Sequence, residues 1–268
     1  MRIFDNILWK RVGIVQKIVI LLILLGSCIL VSPASGAIGT PTFMCSNSSS
    51  TSTTSLKCTS AINVTASTIT RVFVILAADN SAAPSFTLST GGCTSAVDIS
   101  NTTTTPSNRG LFLMSCELGT NVTTSTEVTV SFNAVVAKAF SAFAITNVAQ
   151  SPFFGSSIKN GPSTSASSLT TTTDTTLGTT DEIWLSSFNY GGTCTSGAPT
   201  ALFTAGGSAI EVDNEKCGSS ATNRALAVEY EVRTSAGNIL GTGTLANASG
   251  TPSSQTYIAL GASYLGAP

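Results

Sequence analysis

Two glutamates, Glu229 and Glu231, have the spacing that could support glycoside hydrolysis. Residues two apart in a β-strand point to the same face, so the two carboxyl groups would lie side by side. Glycosidases use such a pair, one as general acid and the other as nucleophile or base. The alternative is the polar face of an amphipathic strand that Arg233 completes. We favour this alternative, because Trp184 is the only tryptophan after residue 37 and binding clefts are usually lined by several aromatic residues.

A second candidate site is the run that contains Glu211, Asp213, Asn214 and Glu215, the densest group of oxygen ligands in the chain. Ca²⁺ binds roughly six to eight oxygens, and carboxylates with an Asn carbonyl would suit it. The spacing does not match an EF-hand loop. The alternative, which we favour, is a solvated turn beside Cys217. Apart from this calcium ion, the sequence predicts no cofactor.

The chain contains no histidine, which excludes several kinds of site. A Ser-His-Asp or Cys-His nucleophile needs an imidazole as its base. A structural zinc site is disfavoured as well, because no Cys-x-x-Cys pair occurs. The Gly-Gly pairs have no following Lys and are typical of turns, not of phosphate-binding loops. The sequence therefore predicts no catalytic residue and favours a protein that is not an enzyme.

The first 37 residues have the composition of a secretory signal peptide. Four basic residues precede an uncharged apolar run over 18–31, and small residues follow as far as Ala37. We expect cleavage after Ala37. Two alternatives stay open: lipidation at Cys28, and an uncleaved anchor extended by residues 12–15. In all three cases the bulk of the chain is secreted or at the cell surface, and only the leader would contact a membrane.

Export gives the cysteines a role. Six remain after the leader, and an even number in an oxidising compartment indicates disulfides. Six cysteines allow about 15 connectivities, so the sequence does not fix the pairing. Each disulfide in the simplest scheme would raise the free energy of unfolding by roughly 3 kcal/mol. That scheme joins neighbours along the chain: Cys45–Cys58, Cys93–Cys116 and Cys194–Cys217.

Five Asn-x-Ser/Thr sequons are candidate glycosylation sites in an exported protein. In a chain this rich in Ser and Thr, several sequons arise by chance. They matter only in an organism that glycosylates asparagine. The five residues are Asn47, Asn63, Asn101, Asn121 and Asn247.

Charged residues are scarce, and their distribution argues against nucleic acid as a partner. Eight Lys/Arg and twelve Asp/Glu remain without the leader, a net charge of about −4. Phosphate contacts need clustered Lys and Arg, whereas here they are scattered singly. The abundance of Thr and Ser instead suits half-buried pleated sheets. The composition predicts an all-β protein.

Alternation along the chain supports this fold class. In the stretch 224–233, Leu226 and Val228 fall on one face and Glu229 and Glu231 on the other, which predicts a strand with one wet face. The stretch 71–76 is apolar on both faces and predicts a central strand.

The predicted strands repeat roughly 110 residues apart, which indicates two related five-strand halves over 38–150 and 181–268. A Ser/Thr-rich connection over 151–180 separates them, either as a flexible linker or as an exposed strand. Residues 40–45 and 55–59 predict an N-terminal hairpin joined by Cys45–Cys58. The strands are 72–79, 85–93, 110–118, 125–133 and 140–148 in the first half, and 182–190, 200–205, 225–233, 239–247 and 257–265 in the second.

The chain resembles a secreted β-sandwich module of bacterial extracellular and surface proteins. The resemblance rests on the strands 72–79, 85–89 and 225–232, the segment 180–192 and the ending 257–264. The resemblance implies a jelly-roll-like β-sandwich of some 200 residues. It carries no catalytic signature, since such modules generally lack an assigned activity. The cysteines depart from the usual pattern, which indicates additional stabilisation by disulfides in this member.

These observations favour a non-catalytic secreted or cell-surface β-sandwich with a structural, adhesive or assembly-forming role. Its expected partners are further copies of itself or surface glycans. The alternative is a carbohydrate-binding module, with or without assistance from calcium. A concanavalin-like glycoside hydrolase that uses Glu229 and Glu231 is the third hypothesis.

Overall fold

The structure is a computed structural model that describes residues 37–90, 92–95, 97–104, 108–135, 137–149, 156–159, 166–171, 181–191, 194–195, 198–199, 202–215, 224–233 and 237–267. Every regular element in this part of the chain is a β-strand, so the all-β prediction is confirmed. None of these residues forms a helix long and apolar enough to cross a membrane.

The strands follow one another along the chain with the bounds β1 Thr42–Ser49, β2 Thr53–Thr59, β3 Ser67–Ala78, β4 Ser85–Leu88, β5 Thr94–Ser95, β6 Ile99–Thr103, β7 Arg109–Leu118, β8 Glu127–Val135, β9 Lys138–Ile145, β10 Ser156–Lys159, β11 Ser168–Thr170, β12 Glu182–Gly191, β13 Cys194–Thr195, β14 Ala198–Pro199, β15 Leu202–Ala205, β16 Ile210–Glu215, β17 Arg224–Arg233, β18 Thr242–Ala246 and β19 Tyr257–Leu265.

Four antiparallel sheets contain most of these strands, and we name them by their position. Outer sheet 1 has the order β2-β8-β4-β5, and inner sheet 1 has the order β1-β9-β3-β7-β6. Inner sheet 2 has the order β10-β19-β12-β17-β16, and outer sheet 2 has the order β11-β18-β15. Strands β13 and β14 form a separate pair.

Three layers of apolar side chains hold the four sheets together. Successive side chains of a strand point to opposite faces. In β3, Val72 and Val74 therefore pack against outer sheet 1, whereas Phe73 packs against inner sheet 2. In β12, Leu185 packs against inner sheet 1 and Phe188 against outer sheet 2. The two inner sheets are thus buried on both faces, which explains why the residues that follow Arg71, from Val72 to Leu76, are apolar on both faces.

The two halves of the chain have the same strand order. The inner sheets correspond strand by strand. The order β1-β9-β3-β7-β6 of inner sheet 1 matches the order β10-β19-β12-β17-β16 of inner sheet 2. Matching β2, β8 and β4 with β11, β18 and β15 relates the outer sheets. This shared order agrees with the predicted repeat and extends it from five strands to eight in each half. The jelly-roll path of the chain stays a prediction.

Each half forms its own two-layered sandwich, whereas the sequence predicted one sandwich built from both halves. The physical reason lies in the inner sheets, whose second faces are apolar and would be exposed in an isolated half. Phe73 of the first half contacts Tyr264 of the second, with the ring centroids 4.8 Å apart in an edge-to-face arrangement. Burying these faces against each other produces the four-layer stack.

The buried side chains of Arg109 and Asn189 form hydrogen bonds that fix the alignment of the two halves. Arg109 Nη2 donates to Thr256 Oγ1 at 2.8 Å, and Asn189 Nδ2 donates to the carbonyl of Gly110 at 3.0 Å. Each bond joins one half to the other. Since a buried polar group that loses its partner is costly, these contacts select one alignment of the two apolar faces.

The predicted N-terminal hairpin is wrong. Strand β1 pairs with β9 in inner sheet 1, and β2 pairs with β8 in outer sheet 1. The short connection carries the chain from one layer to the next, so Cys45–Cys58 joins two sheets and not two neighbouring strands. Cys93–Cys116 joins the same two layers. Cys194 lies in β13 and Cys217 lies outside the described residues, so the third pairing stays a prediction.

The Ser/Thr-rich connection is more than a linker, because it contributes two strands to the second half. Strand β10 pairs with β19 at the edge of inner sheet 2, and β11 pairs with β18 in outer sheet 2. The remaining residues of 151–180, apart from 166–167 and 171, lie outside the described ones, as do residues 1–36 with Cys28 and the leader.

Candidate functional site

Polar side chains cluster on the face of inner sheet 2 that packs towards outer sheet 2. The register of β12 and β17 places Ser186 opposite Glu229, Trp184 opposite Glu231, and Glu182 opposite Arg233. Glu182, Ser186 and Glu229 are completely buried. Burying carboxyl groups costs free energy unless they are hydrogen-bonded or protonated, so this cluster is the most unusual electrostatic feature of the described structure.

Burial raises the pKa of Glu229 to about 8. The backbone of Thr242, the backbone of Gly206 and the hydroxyl of Ser186 lower it in part, whereas the charge of Glu231 raises it further. The pKa that results keeps the carboxyl group protonated at neutral pH. A protonated carboxyl group can both donate and accept a hydrogen bond, which suits an uncharged interior.

The cluster is closed to solvent because glycines allow neighbouring segments of the backbone to pack closely against it. A Cβ atom at Gly241 would collide with Ser186, and one at Gly261 would collide with the ring of Trp184. The segment before β18 therefore lies directly on Ser186, and the backbones of Thr242 and Gly206 lie close enough to act on Glu229. Glu231 is partly exposed, and Arg233 Nη1 donates to its Oε1 at 3.1 Å. The structure does not bring the two glutamates together in an open cleft.

This arrangement also corrects the predicted wet face of β17. Glu229 was expected in solvent on the polar side of an amphipathic strand, but outer sheet 2 covers it. Alternation of polar and apolar residues shows which side chains share a face, and it does not show whether a further sheet covers that face. The buried Glu182 and Ser186 were missed for the same reason.

The acidic run 211–215 is an edge strand and not the expected turn. Glu211 and Asp213 lie on either side of a β-bulge in β16, and Tyr190 donates from its hydroxyl to Asn214 Oδ1 at 2.9 Å. Burial raises the pKa of Glu211. The described residues contain no group of three acidic, Cys or His side chains that could hold a metal, and the side chain of Glu215 is not among them. The calcium site stays a prediction.

A cavity of about 380 Å³ lies at the edge where the two inner sheets meet, and we call it the seam cavity. It forms because β16 begins at Ile210, opposite Tyr230, whereas β17 continues for three more residues. Ile210 is 55% exposed, the highest value among the large apolar side chains of the described residues. The size is at the lower end of the range for small-molecule sites. The lining residues are Thr40, Ser208, Ile210, Tyr230, Glu231 and Val232.

A partly buried polar network that the sequence did not reveal lies on inner sheet 1. Arg71 Nη2 donates to Ser115 Oγ at 3.0 Å, and Ser115 Oγ donates to Asp98 Oδ2 at 2.6 Å. Burial raises the pKa of Asp98, and the hydrogen bond from Ser115 and the charge of Arg71 counteract this effect. The charges on this network also act on Tyr264 of the second half. Its role is to satisfy polar groups between the halves.

The outer sheets of both halves carry rows of hydroxyl side chains, which we call the hydroxyl ladders. The register of outer sheet 1 aligns Ser131 of its central strand β8 with Ser55 and Ser85, and that of outer sheet 2 aligns Thr244 of its central strand β18 with Ser168 and Thr204. Apolar neighbours on these strands point inwards, so the hydroxyls face outwards. The second ladder and Ser131 are exposed, and Ser55 and Ser85 are half-buried.

The sequons differ in their environment. Asn63, Asn121 and Asn247 are exposed, and Asn47 is half-buried with its Nδ2 donating to the carbonyl of Lys57 at 2.6 Å. Asn101 is buried between the inner sheets, where its Nδ2 donates to the carbonyl of Ala259 at 2.5 Å. A glycan at Asn101 is incompatible with this packing, which corrects the prediction for that residue.

We expect glycopeptide mass spectrometry of the protein from a glycosylating host to show glycans at Asn63, Asn121 and Asn247 and none at Asn101. Exposed side-chain amides are accessible on the folded chain, whereas attachment at Asn101 would separate the two halves. The Asn101→Gln variant provides the control, since it removes the sequon and should leave the glycan mass unchanged. Occupancy of Asn101 in the folded, secreted protein would contradict the interface between the inner sheets.

Comparisons of the chain with protein-family models, with curated proteins and with solved structures found no match. The resemblance to a bacterial sandwich module therefore stays a prediction. Support for a function comes from the seam cavity and the hydroxyl ladders of this chain.

Proposed function

We propose that the protein is a non-catalytic secreted or cell-surface β-sandwich with a structural or adhesive role. The observation that supports this role is the pair of hydroxyl ladders, one on each outermost sheet of the stack. Between them lie three apolar layers that give the stack its rigidity. Two opposite polar faces on a rigid body suit a protein that holds other surfaces together.

The disulfides support an extracellular role. Cys45–Cys58 and Cys93–Cys116 both join outer sheet 1 to inner sheet 1. Disulfides of this kind persist in oxidising compartments, in agreement with the predicted signal peptide. They tie the sheet that bears the first hydroxyl ladder to the stack, which suits a surface that experiences mechanical load.

Fractionation of the organism that produces the protein tests this function. We expect the protein in the cell-surface or matrix fraction, released by denaturant and not by a low-salt wash. Incubation of the purified protein with polysaccharides should release no reducing ends. Recovery of the whole protein as a free species in the medium would contradict the adhesive role, and turnover that Glu229→Gln abolishes would favour a hydrolase.

Carbohydrate binding at the seam cavity is the second candidate function. The cavity combines the ring of Tyr230 with the hydroxyls of Thr40 and Ser208 and the carboxylate of Glu231. Such a mixture of an aromatic surface and polar groups suits a sugar residue. The neighbouring Glu211 is the residue through which calcium would act.

An array of short oligosaccharides, probed with and without EDTA, tests the second candidate. We expect binding that Ser208→Trp removes by filling the cavity, and a loss of binding in EDTA if calcium contributes. Thr124→Trp, at an exposed loop position away from the lining residues, is the matched control. The absence of binding to any oligosaccharide of the array would contradict binding at the seam cavity.

A further inference from the structure

We propose that the two hydroxyl ladders bind an extended, neutral polysaccharide by lying flat against several consecutive sugar units. This inference rests on the proposed adhesive function and names its partner. The ladders lie on equivalent strands of the two halves, with Ser131 at the centre of one and Thr244 at the centre of the other. The chain therefore presents the same kind of surface twice, on opposite sides of one rigid body.

Charge complementarity points to a neutral partner. The strands β11, β15 and β18 of outer sheet 2 contain no charged residue. In outer sheet 1 the nearest charges are Lys57 and Glu127, whose Nζ and Oε1 atoms form an ion pair at 2.8 Å. This pair cancels its own charge near the first ladder. A polymer with phosphate or uronic acid groups would lose hydration there and find no opposite charge in return.

The geometry of a sheet gives the hydroxyls a regular spacing. Neighbouring strands lie about 4.8 Å apart, and side chains on one face repeat about every 6.8 Å along a strand. A second row beside the first ladder contains Thr87, Thr129 and Lys57, and a second row beside the other contains Thr170 and Thr242. Each hydroxyl donates one hydrogen bond and accepts others, as the hydroxyls of a sugar do. The rows thus match a partner that repeats.

The chemistry of the ladders also fixes how affinity depends on chain length. A single hydrogen bond between exposed hydroxyls contributes little, because water offers the same bond. Affinity therefore arises only when many units of one polymer contact the surface together. Short oligosaccharides should bind poorly, in contrast to a ligand of the seam cavity. A long insoluble glucan should retain the protein.

Sedimentation with microcrystalline cellulose, a neutral β-linked glucan, tests this inference on the full secreted protein. We expect the wild type to sediment and the double variant Ser131→Lys/Thr244→Lys to lose at least tenfold in bound fraction. Both positions are exposed, so a thermal melt close to that of the wild type is expected. Thr124→Lys is the control for added charge, and Ser131→Thr/Thr244→Ser keeps both hydroxyls and should bind as the wild type does. Cellohexaose should not compete.

Several results would overturn the inference. The first is equal binding by the wild type and the double lysine variant. The second is no retention of the wild type on cellulose, chitin or insoluble β-1,3-glucan. The third is a wild type that is retained on ice and on none of these polysaccharides. Cell-surface fractionation of the same double variant distinguishes a failure of this inference from a failure of the proposed adhesive function. If wild type and variant are retained equally, the adhesive role stands and the ladders are not its basis. If the wild type is not retained, the adhesive role itself is wrong.

Discussion

Replacing Glu229 by Gln is expected to stabilise the protein by about 3 kcal/mol at pH 7. The pKa of this buried carboxyl group is about 8 in the folded protein, against an ordinary value of 4.5. At pH 7 the group is ionised in the unfolded chain and protonated in the folded one, so folding requires uptake of a proton. Gln has nearly the same shape and stays neutral, and it removes this cost.

The same pKa fixes the direction of the pH dependence. The folded pKa lies above the unfolded value, so the stability that Glu229 contributes is fully present below about pH 4.5 and is lost as pH rises towards 8. Denaturant unfolding at several pH values should show the wild type weakening relative to Glu229→Gln by about 1.4 kcal/mol per pH unit in this window. Ser131→Ala, at an exposed position that carries no titratable group, should keep the slope of the wild type. Parallel curves for wild type and Glu229→Gln would contradict the burial of this group.

Removing both disulfides of the first half is expected to destabilise the protein by about 6 kcal/mol. The sequence separations are 13 and 23 residues, and each bond restricts the unfolded chain by about 3 kcal/mol in the loop-entropy account. The variants are Cys45→Ser/Cys58→Ser, Cys93→Ser/Cys116→Ser and their combination. Because the two closed loops, residues 45–58 and 93–116, do not overlap in sequence, the combined loss should be close to the sum of the two.

Denaturant unfolding with and without dithiothreitol measures this effect. Reductant should lower the unfolding midpoint of the wild type to that of the fourfold serine variant or below it. A further drop in the fourfold variant under reductant would indicate the third pair, Cys194–Cys217. A wild type that does not respond to reductant, or free thiols at Cys45 or Cys116 in the folded protein, would contradict the pairing.

The repeat and the main strands could be predicted from the sequence because both depend on local pattern. Alternation with a period of two assigns side chains to faces. β3 is apolar on both faces from Val72 to Ala78, and its equivalent β12 has Ile183 and Leu185 on one face and Trp184 and Phe188 on the other. Neighbouring cysteines in sequence also predicted two of the pairings. The structure contains these predicted features because they do not depend on which sheet a strand joins.

The arrangement of the layers could not be predicted in the same way. Whether β2 pairs with β1 or crosses to another sheet depends on contacts with β8, which lies some 70 residues later. The burial of Glu229 and Asn101 depends on sheets contributed by distant parts of the chain. Both residues look like surface residues in the sequence because they are polar. Their environment follows from the stack, and the stack follows from the unpaired apolar faces of the inner sheets.

The hydroxyl ladders show where local pattern and tertiary structure meet. Ser and Thr are so frequent in this chain that no single one attracts notice in the sequence. Strand register aligns six of them in two rows, and the strand order places the rows on equivalent strands of the two halves. The functional proposal depends on this alignment and not on any motif.

Bridging of cell-surface fragments tests the central claim, that the protein is a two-faced adhesive body, most directly. Purified protein is added to washed surface fragments from the organism that makes it, and particle size is followed by light scattering. Two opposite binding faces predict that particles cluster at intermediate protein concentration and disperse at excess, when each face holds a separate fragment. Fragments that stay single at every concentration would contradict the claim.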